Sequence, residues 1–265
     1  MSRAAFCLSG SGTLAPLHIG ALAAFYDRGI HPNFLVGTSG GSIVAGLLAL
    51  GYTPHDLRAI MIDAQFSHLI PYNEWLVPFR HYLASNKNVI AWLKELTHEQ
   101  TMRDCKIPFA AITTDLFSMS SIAHSTLNKE EVHLPVWQAI VSSMSIPDIF
   151  PMFKGRFVDG GVMRNLAVDA LPNGPSYALR VTERTKTGPV TDWIDEQERL
   201  LDAMLTANEQ ASVTLAKARN IPVINLPAGG IGFLDRSMSN AQKSELYAIG
   251  YNSVVQYFAN GKQVW

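Results

Sequence analysis

The segment Phe34-Leu35-Val36-Gly37-Thr38-Ser39-Gly40-Gly41 constrains this 265-residue chain more than any other. An apolar run leads into Gly-x-Ser-x-Gly, and the apolar stretch Ser42 to Leu50 follows until Gly51 stops it. The expected structure is a short buried strand, a sharp turn and a buried helix. Gly37 and Gly41 flank the serine by two places because a Cβ there would collide across the elbow, while the hydroxyl must stand clear of it. Ser39 at a helix start also feels the positive end of the helix dipole, which favours an alkoxide. Taken alone, the pentapeptide fits a glycine- and serine-rich turn without chemistry equally well.

The rest of the chain alternates strand and helix patterns. Ala4 to Leu8 reads as a strand running into a glycine loop, and Pro16 to Arg28 as a helix that Gly29 ends. Thr53-Pro54-His55-Asp56 opens a helix to about Ala64. Phe109–Thr114, Ser121–His124, Arg156–Val158, Tyr177–Val181 and Val223–Leu226 read as strands. Pro135–Ser145, Asp192–Ala218 and Ala241–Phe258 read as helices. The pattern predicts an α/β fold, a mainly parallel central sheet with helices on both faces, in a single domain over 1–265. Residues 65–85 differ: Phe66, Tyr72, Trp75, Phe79 and Tyr82 are interleaved with Pro71, Pro78, His68 and His81. This reads as an irregular cap whose aromatics either meet a lipid chain or pack as core beneath a long connection.

Several function classes are excluded or disfavoured. A net charge of −1 provides no electrostatic footprint for nucleic acid. Two cysteines, Cys7 and Cys105, make no disulfide framework, and no Cys/His group has zinc spacing. Neither a metal nor another cofactor is expected. The apolar stretch from Ala4 to Leu8 is too short for a signal-peptide core, and Ile43 to Leu50 falls short of a membrane span. The expectation is a soluble cytoplasmic protein, with signal-less export left open.

Two further motifs carry chemistry. Gly10-Ser11-Gly12 follows the first strand and opens a helix, so its N–H groups converge into a nest suited to the oxyanion of a tetrahedral intermediate. The same segment, through Ala15, fits a dinucleotide fingerprint. However, the second strand ends in Gly37-Thr38-Ser39 without the acid that would hold a ribose, and no P-loop lysine is present. A histidine base for Ser39 is disfavoured by order: the last of eight histidines is His133, which leaves half the chain beyond it without one. Asp159, in Asp159-Gly160-Gly161 at a strand end, is left as a direct base, provided that burial raises its pKa. Gly160 and Gly161 are expected to let the chain turn abruptly and deliver the carboxylate; on its own the tripeptide is an ordinary turn.

Together these segments resemble the patatin-like phospholipase family, whose enzymes use a serine–aspartate dyad. The resemblance is carried by Gly10-Ser11-Gly12, Gly37-Thr38-Ser39-Gly40-Gly41, Asp159-Gly160-Gly161, Ser142 to Pro151 and Thr113-Thr114-Asp115-Leu116, in the family's order over about residues 4–170. It implies Ser39 as nucleophile, Asp159 as base, an oxyanion hole at Gly10, Ser11 and Gly12, and hydrolysis of phospholipid or lysophospholipid esters through an acyl-enzyme. The implied partners are a lipid substrate and a transient membrane-surface contact. A short-chain esterase or triglyceride lipase on the same dyad, and a non-catalytic or nucleotide-binding module, are the alternatives. Leu14 stands where most members carry Arg or Lys, which puts phosphate recognition through that side chain in doubt. Ala167 stands where proline is common. His18, two turns beyond the glycine loop, reads as a packed helix histidine.

Overall fold

A computed structural model describes residues 1–185 and 188–260. Seven strands form one sheet: β1 Ser2–Leu8, β2 Ile30–Thr38, β3 Phe109–Asp115, β4 Ser120–Ser125, β5 Phe157–Asp159, β6 Ser176–Thr182 and β7 Val223–Pro227. Their order is β4-β3-β2-β1-β6-β7, with β5 also on β3. The pairs β1–β2, β2–β3, β1–β6 and β6–β7 are parallel, while β4 and β5 run antiparallel to β3.

The helices are α1 Ala15–Asp27, α2 Gly40–Leu50, α3 Pro54–Asp63, α4 Phe66–Leu69, α5 Val77–Arg80, α6 Lys87–Thr97, α7 Val136–Ser143, α8 Gly161–Arg164, α9 Trp193–Ala218 and α10 Asn240–Ala259. Thr53 caps α3 with a capping box through Asp56, as its sequence predicts. No helix among the described residues is long and apolar enough to cross a membrane.

The two faces of the sheet follow from strand alternation. Phe6, Leu8 and Leu35 join the large core beneath α1, α2, α7 and α10, while Ala5, Cys7 and Val36 face a smaller core with Leu166, Val168 and Ala216 of the α9 side. Helices thus cover both faces, and the mainly parallel sheet matches expectation.

One register detail positions everything that follows. Strand β2 pairs with the first half of β3 and ends with Thr38 opposite Ile112. The next residue of β3, Thr113, is opposite Asp159, the last residue of the antiparallel β5. Thus β5 takes over the edge of β3 where β2 leaves it, and the two chain ends meet head-on.

Candidate active site

Ser39 follows β2 directly and caps α2. Its backbone sits at φ 52°, ψ −127°, a left-handed conformation that costs a non-glycine residue free energy and persists only where neighbours impose it. Two neighbours do so. The Ser39 N–H donates to Ser143 Oγ at 2.9 Å, and the Ser42 hydroxyl donates to the Ser39 carbonyl at 2.6 Å. The turn glycines are required by space. A Cβ on Gly37 would lie 2.5 Å from the Gly41 carbonyl oxygen, and one on Gly41 would lie 2.4 Å from that of Ser9.

Asp159 is held from the same side. Its N–H donates to Ser145 O at 2.9 Å and the Gly160 N–H to Ser143 O at 3.1 Å. The segment from Ser143 to Ser145, at the end of α7, therefore grips the backbones of both Ser39 and Asp159. The Asp159 carboxyl is buried and accepts one hydrogen bond, from Gly161 N–H to Oδ1 at 2.7 Å. Its other oxygen, Oδ2, is buried without a partner at full hydrogen-bond geometry. The Ser39 hydroxyl is nevertheless close enough to pull the carboxyl pKa down, and both side chains line one pocket. The contact is looser than a formed hydrogen bond. Burial outweighs both hydrogen-bonding influences and pushes the Asp159 pKa up to about 7.

The chain turns at Gly160 from β5 into α8, without an unusual backbone conformation. Gly160 has an ordinary helical φ of −61°, and neither glycine adopts a positive φ. What excludes a side chain is contact: a Cβ on Gly160 would lie 2.1 Å from Ile112 O, and one on Gly161 2.6 Å from Leu205 Cδ2.

In the glycine loop, Gly10, Ser11 and Gly12 all line the pocket that holds Ser39 and Asp159. Their N–H groups are not equivalent. That of Gly10 is taken by Asn165, through Oδ1 at 3.1 Å and the carbonyl at 3.3 Å. Those of Ser11 and Gly12 donate to nothing among the described residues. Asn165 in turn donates to Glu209, a fully buried carboxylate clamped by Arg180 at 2.6 Å and Arg184 at 2.8 Å. Asn208 accepts from Asn165 N–H at 3.0 Å and donates to Gly161 O at 2.6 Å. This network joins α9 to both the glycine loop and the aspartate turn. None of it was foreseen from sequence. Ser143 lay inside a recognised block, but its bond to Ser39 N–H had no local signal.

No histidine lines either pocket at Ser39. His18 is buried, with Nε2 2.9 Å from Ser9 O, and burial lowers its pKa to about 4. Leu14 is wholly buried in the large core. Among the described residues no group of three or more His, Cys, Asp or Glu side chains is arranged to hold a metal.

A second chamber opens from Ser39 and Gly12 beneath the cap. Its cavity volume is about 50 Å³, and its walls are apolar, among them Met61, Phe66, Ile70, Trp92, Phe150 and Leu234. The cap segment is divided between buried and exposed aromatics. Phe66 and Ile70 are buried against the chamber and the core, whereas Trp75 and Phe79 are exposed.

The chain is similar to proteins of known family and fold. A Triacylglycerol lipase ptl2 from Schizosaccharomyces pombe is 25% identical over 200 residues, covering 64% of this chain and 31% of that protein. A patatin-like phospholipase domain-containing protein of Aspergillus oryzae is 26% identical over 162 residues, covering 56% and 22%. The chain thus spans a third or less of the length of these relatives. Among solved structures, VipD from Legionella pneumophila superimposes with a TM-score of 0.60 at 13% identity, over 98% of this chain and 67% of VipD. Full-length ExoU of Pseudomonas aeruginosa, solved with SpcU, gives 0.53 at 16% identity, over 99% and 54%. These two likenesses concern the fold alone. The family model described as "Patatin-like phospholipase" matches residues 6–172, well over half the sequence, and the chain belongs to the patatin-like phospholipase family.

Proposed function

We propose that this chain is a serine acyl hydrolase that cleaves fatty-acyl esters of lipids through Ser39 and Asp159. One observation carries the reading: β2 and β5 end head-on along β3, which delivers the Ser39 hydroxyl and a buried carboxyl to a single pocket. A carboxyl held near pKa 7 is a competent base at neutral pH, unlike an exposed aspartate.

In the reaction, Ser39 Oγ attacks the ester carbonyl as Asp159 takes its proton. The negative oxygen of the tetrahedral intermediate is received by the unengaged N–H groups of Ser11 and Gly12, with the dipole of α2 adding to the field. Collapse of the intermediate passes the proton from Asp159 to the departing alcohol. Water, activated by the same carboxylate, then releases the fatty acid from Ser39. The chamber beneath the cap suits the acyl chain, since it is apolar and opens at the nucleophile.

Two substrate readings share this dyad. Phospholipid or lysophospholipid esters follow from the family resemblance; neutral acylglycerols are favoured by the name of the S. pombe relative. Membrane-surface contact is proposed with either.

The test is labelling and turnover together. A fluorophosphonate should add to the wild-type chain at Ser39 and not to Ser39→Ala, and hydrolysis of p-nitrophenyl esters should disappear with it. The pH profile of kcat/KM should rise and level off above about 7, because only ionised Asp159 accepts the proton. Persistent turnover by a folded Ser39→Ala protein would refute the assignment.

A further inference from the structure

We infer that the alcohol side of this site is built for an uncharged leaving group, so that neutral acylglycerols are preferred to lipids with an anionic phosphate. The inference rests on the Ser39–Asp159 reading and deepens it.

The first step assigns the two halves of the ester. Ser39 and Gly12 line both pockets, whereas Asp159 lines only the one that contains the glycine loop and Asn165. The group that returns a proton to the leaving oxygen must stand within hydrogen-bond reach of it. The alcohol half therefore occupies the Asp159 pocket, and the acyl chain takes the apolar chamber on the opposite side.

The second step is the charge of the alcohol pocket. Among the described residues, Arg184 is the one cation lining it. All three nitrogens of its guanidinium are already engaged: Nε donates to Asp202 at 2.7 Å, one terminal nitrogen to Glu209 at 2.8 Å, and the other to Thr206 at 3.0 Å. It is almost fully buried and has little freedom to turn toward a ligand. Arg180 shares Glu209, so the two arginines are balanced by the two carboxylates Asp202 and Glu209, which leaves no surplus positive charge beside Asp159.

The remaining positions that a headgroup would call on are equally unhelpful. Arg164 pairs with Asp169 at 2.8 Å, Lys154 bonds Gln138 at 2.8 Å, and neither lines the pocket. The other walls are apolar: Val162, Leu201, Met204, Leu205 and Phe233. A phosphate placed there would lose hydration without gaining a cation, a penalty that a glycerol or acylglycerol does not meet.

The experiment compares three esters in mixed micelles of neutral detergent: 1-oleoylglycerol, oleoyl-lysophosphatidic acid and p-nitrophenyl butyrate. The acyl chain is identical in the first two, so their ratio reports the alcohol side alone. The expected kcat/KM for 1-oleoylglycerol exceeds that for the lysophosphatidic acid by about tenfold or more at low salt, and the gap narrows as salt screens the repulsion. Met204→Lys, at a half-exposed helical position on the pocket wall, should narrow it further by supplying the missing cation. Equal or faster turnover of the phosphate-bearing ester would overturn the inference and leave the dyad standing, as would a ratio unmoved by both salt and a folded Met204→Lys. Absence of turnover on all three esters, with no fluorophosphonate adduct, would instead remove the hydrolase reading itself.

Discussion

The carboxyl edge of the sheet and the cap above it surround the same serine, yet they are built on opposite terms. At the edge the backbone is held by close contacts and directional hydrogen bonds. Gly37, Gly41 and Gly160 touch backbone so closely that no side chain fits, and Ser143 and Ser145 engage the main chain of both Ser39 and Asp159. The cap consists of short pieces, the four-residue helices α4 and α5 among them. It encloses an apolar chamber and exposes Trp75 at 89% and Phe79 at 81%. Edge geometry is thus set by directional contacts that a single substitution destroys, whereas the cap is set by volume and apolarity, which many side chains satisfy.

The sharpest break in that comparison is at the carboxyl itself. Asp159→Asn should lower kcat by roughly 10²- to 10⁴-fold, the range that general acid–base catalysis supplies, and yet stabilise the fold at pH 8. The folded pKa of about 7 lies above the ordinary aspartate value of 3.8. The protonated carboxyl's favourable contribution is therefore complete below about 4 and is lost as pH rises through about 7. The variant's melting temperature should exceed that of wild type at pH 8 and converge with it near pH 4. An asparagine variant that is less stable at pH 8 would contradict the burial argument.

Next in size is Gly160→Ala. Its Cβ meets a backbone oxygen that cannot step aside, so a drop in stability of several kcal/mol, read as lost soluble protein or a lower urea midpoint, is expected. Normal stability in this variant would mean that the edge is as forgiving as the cap. Ser143→Ala probes the same edge more gently. It leaves the strained Ser39 N–H without its acceptor, and kcat should fall about 10- to 100-fold while KM changes little. A change confined to KM would assign Ser143 to binding instead.

The smallest effect is expected in the cap. Val89→Phe adds bulk to the chamber wall and should reduce turnover of long-chain esters relative to butyrate by a few-fold, with the chain still folded. An unchanged chain-length profile would place the acyl chain somewhere other than this chamber.

Local chemistry explains which features were legible in advance. Gly37-Thr38-Ser39-Gly40-Gly41 and Asp159-Gly160-Gly161 are readable as short patterns at strand ends, and Gly37 meets Gly41 within its own motif, whereas the close contacts of Gly41, Gly160 and Gly161 are with Ser9, Ile112 and Leu205, distant in sequence. The strand and helix cores follow their periodicity, with ends shifted by a few residues. Helix α6 escaped notice, although Val89, Leu93 and Thr97 form its buried stripe, because it adjoins a segment dominated by irregular aromatics. Nothing in the sequence near Gly10 announces that Asn165 takes its N–H, leaving Ser11 and Gly12 as the donors still free. Asn165 and Glu209 are distant from that loop in sequence and carry no periodic signature.

The sequence by itself determined the strands, most of the long helices, the elbow pattern and the two candidate reactive groups, because hydrophobic period and turn chemistry act over a few residues. Tertiary structure alone decided that β5 resumes the edge of β3 where β2 ends, and that burial there raises the pKa of Asp159 to about 7. It also decided that the buried arginine beside them is already neutralised by two carboxylates. Register, desolvation and ion pairing depend on partners that the chain supplies from far away, and only folding brings them within reach.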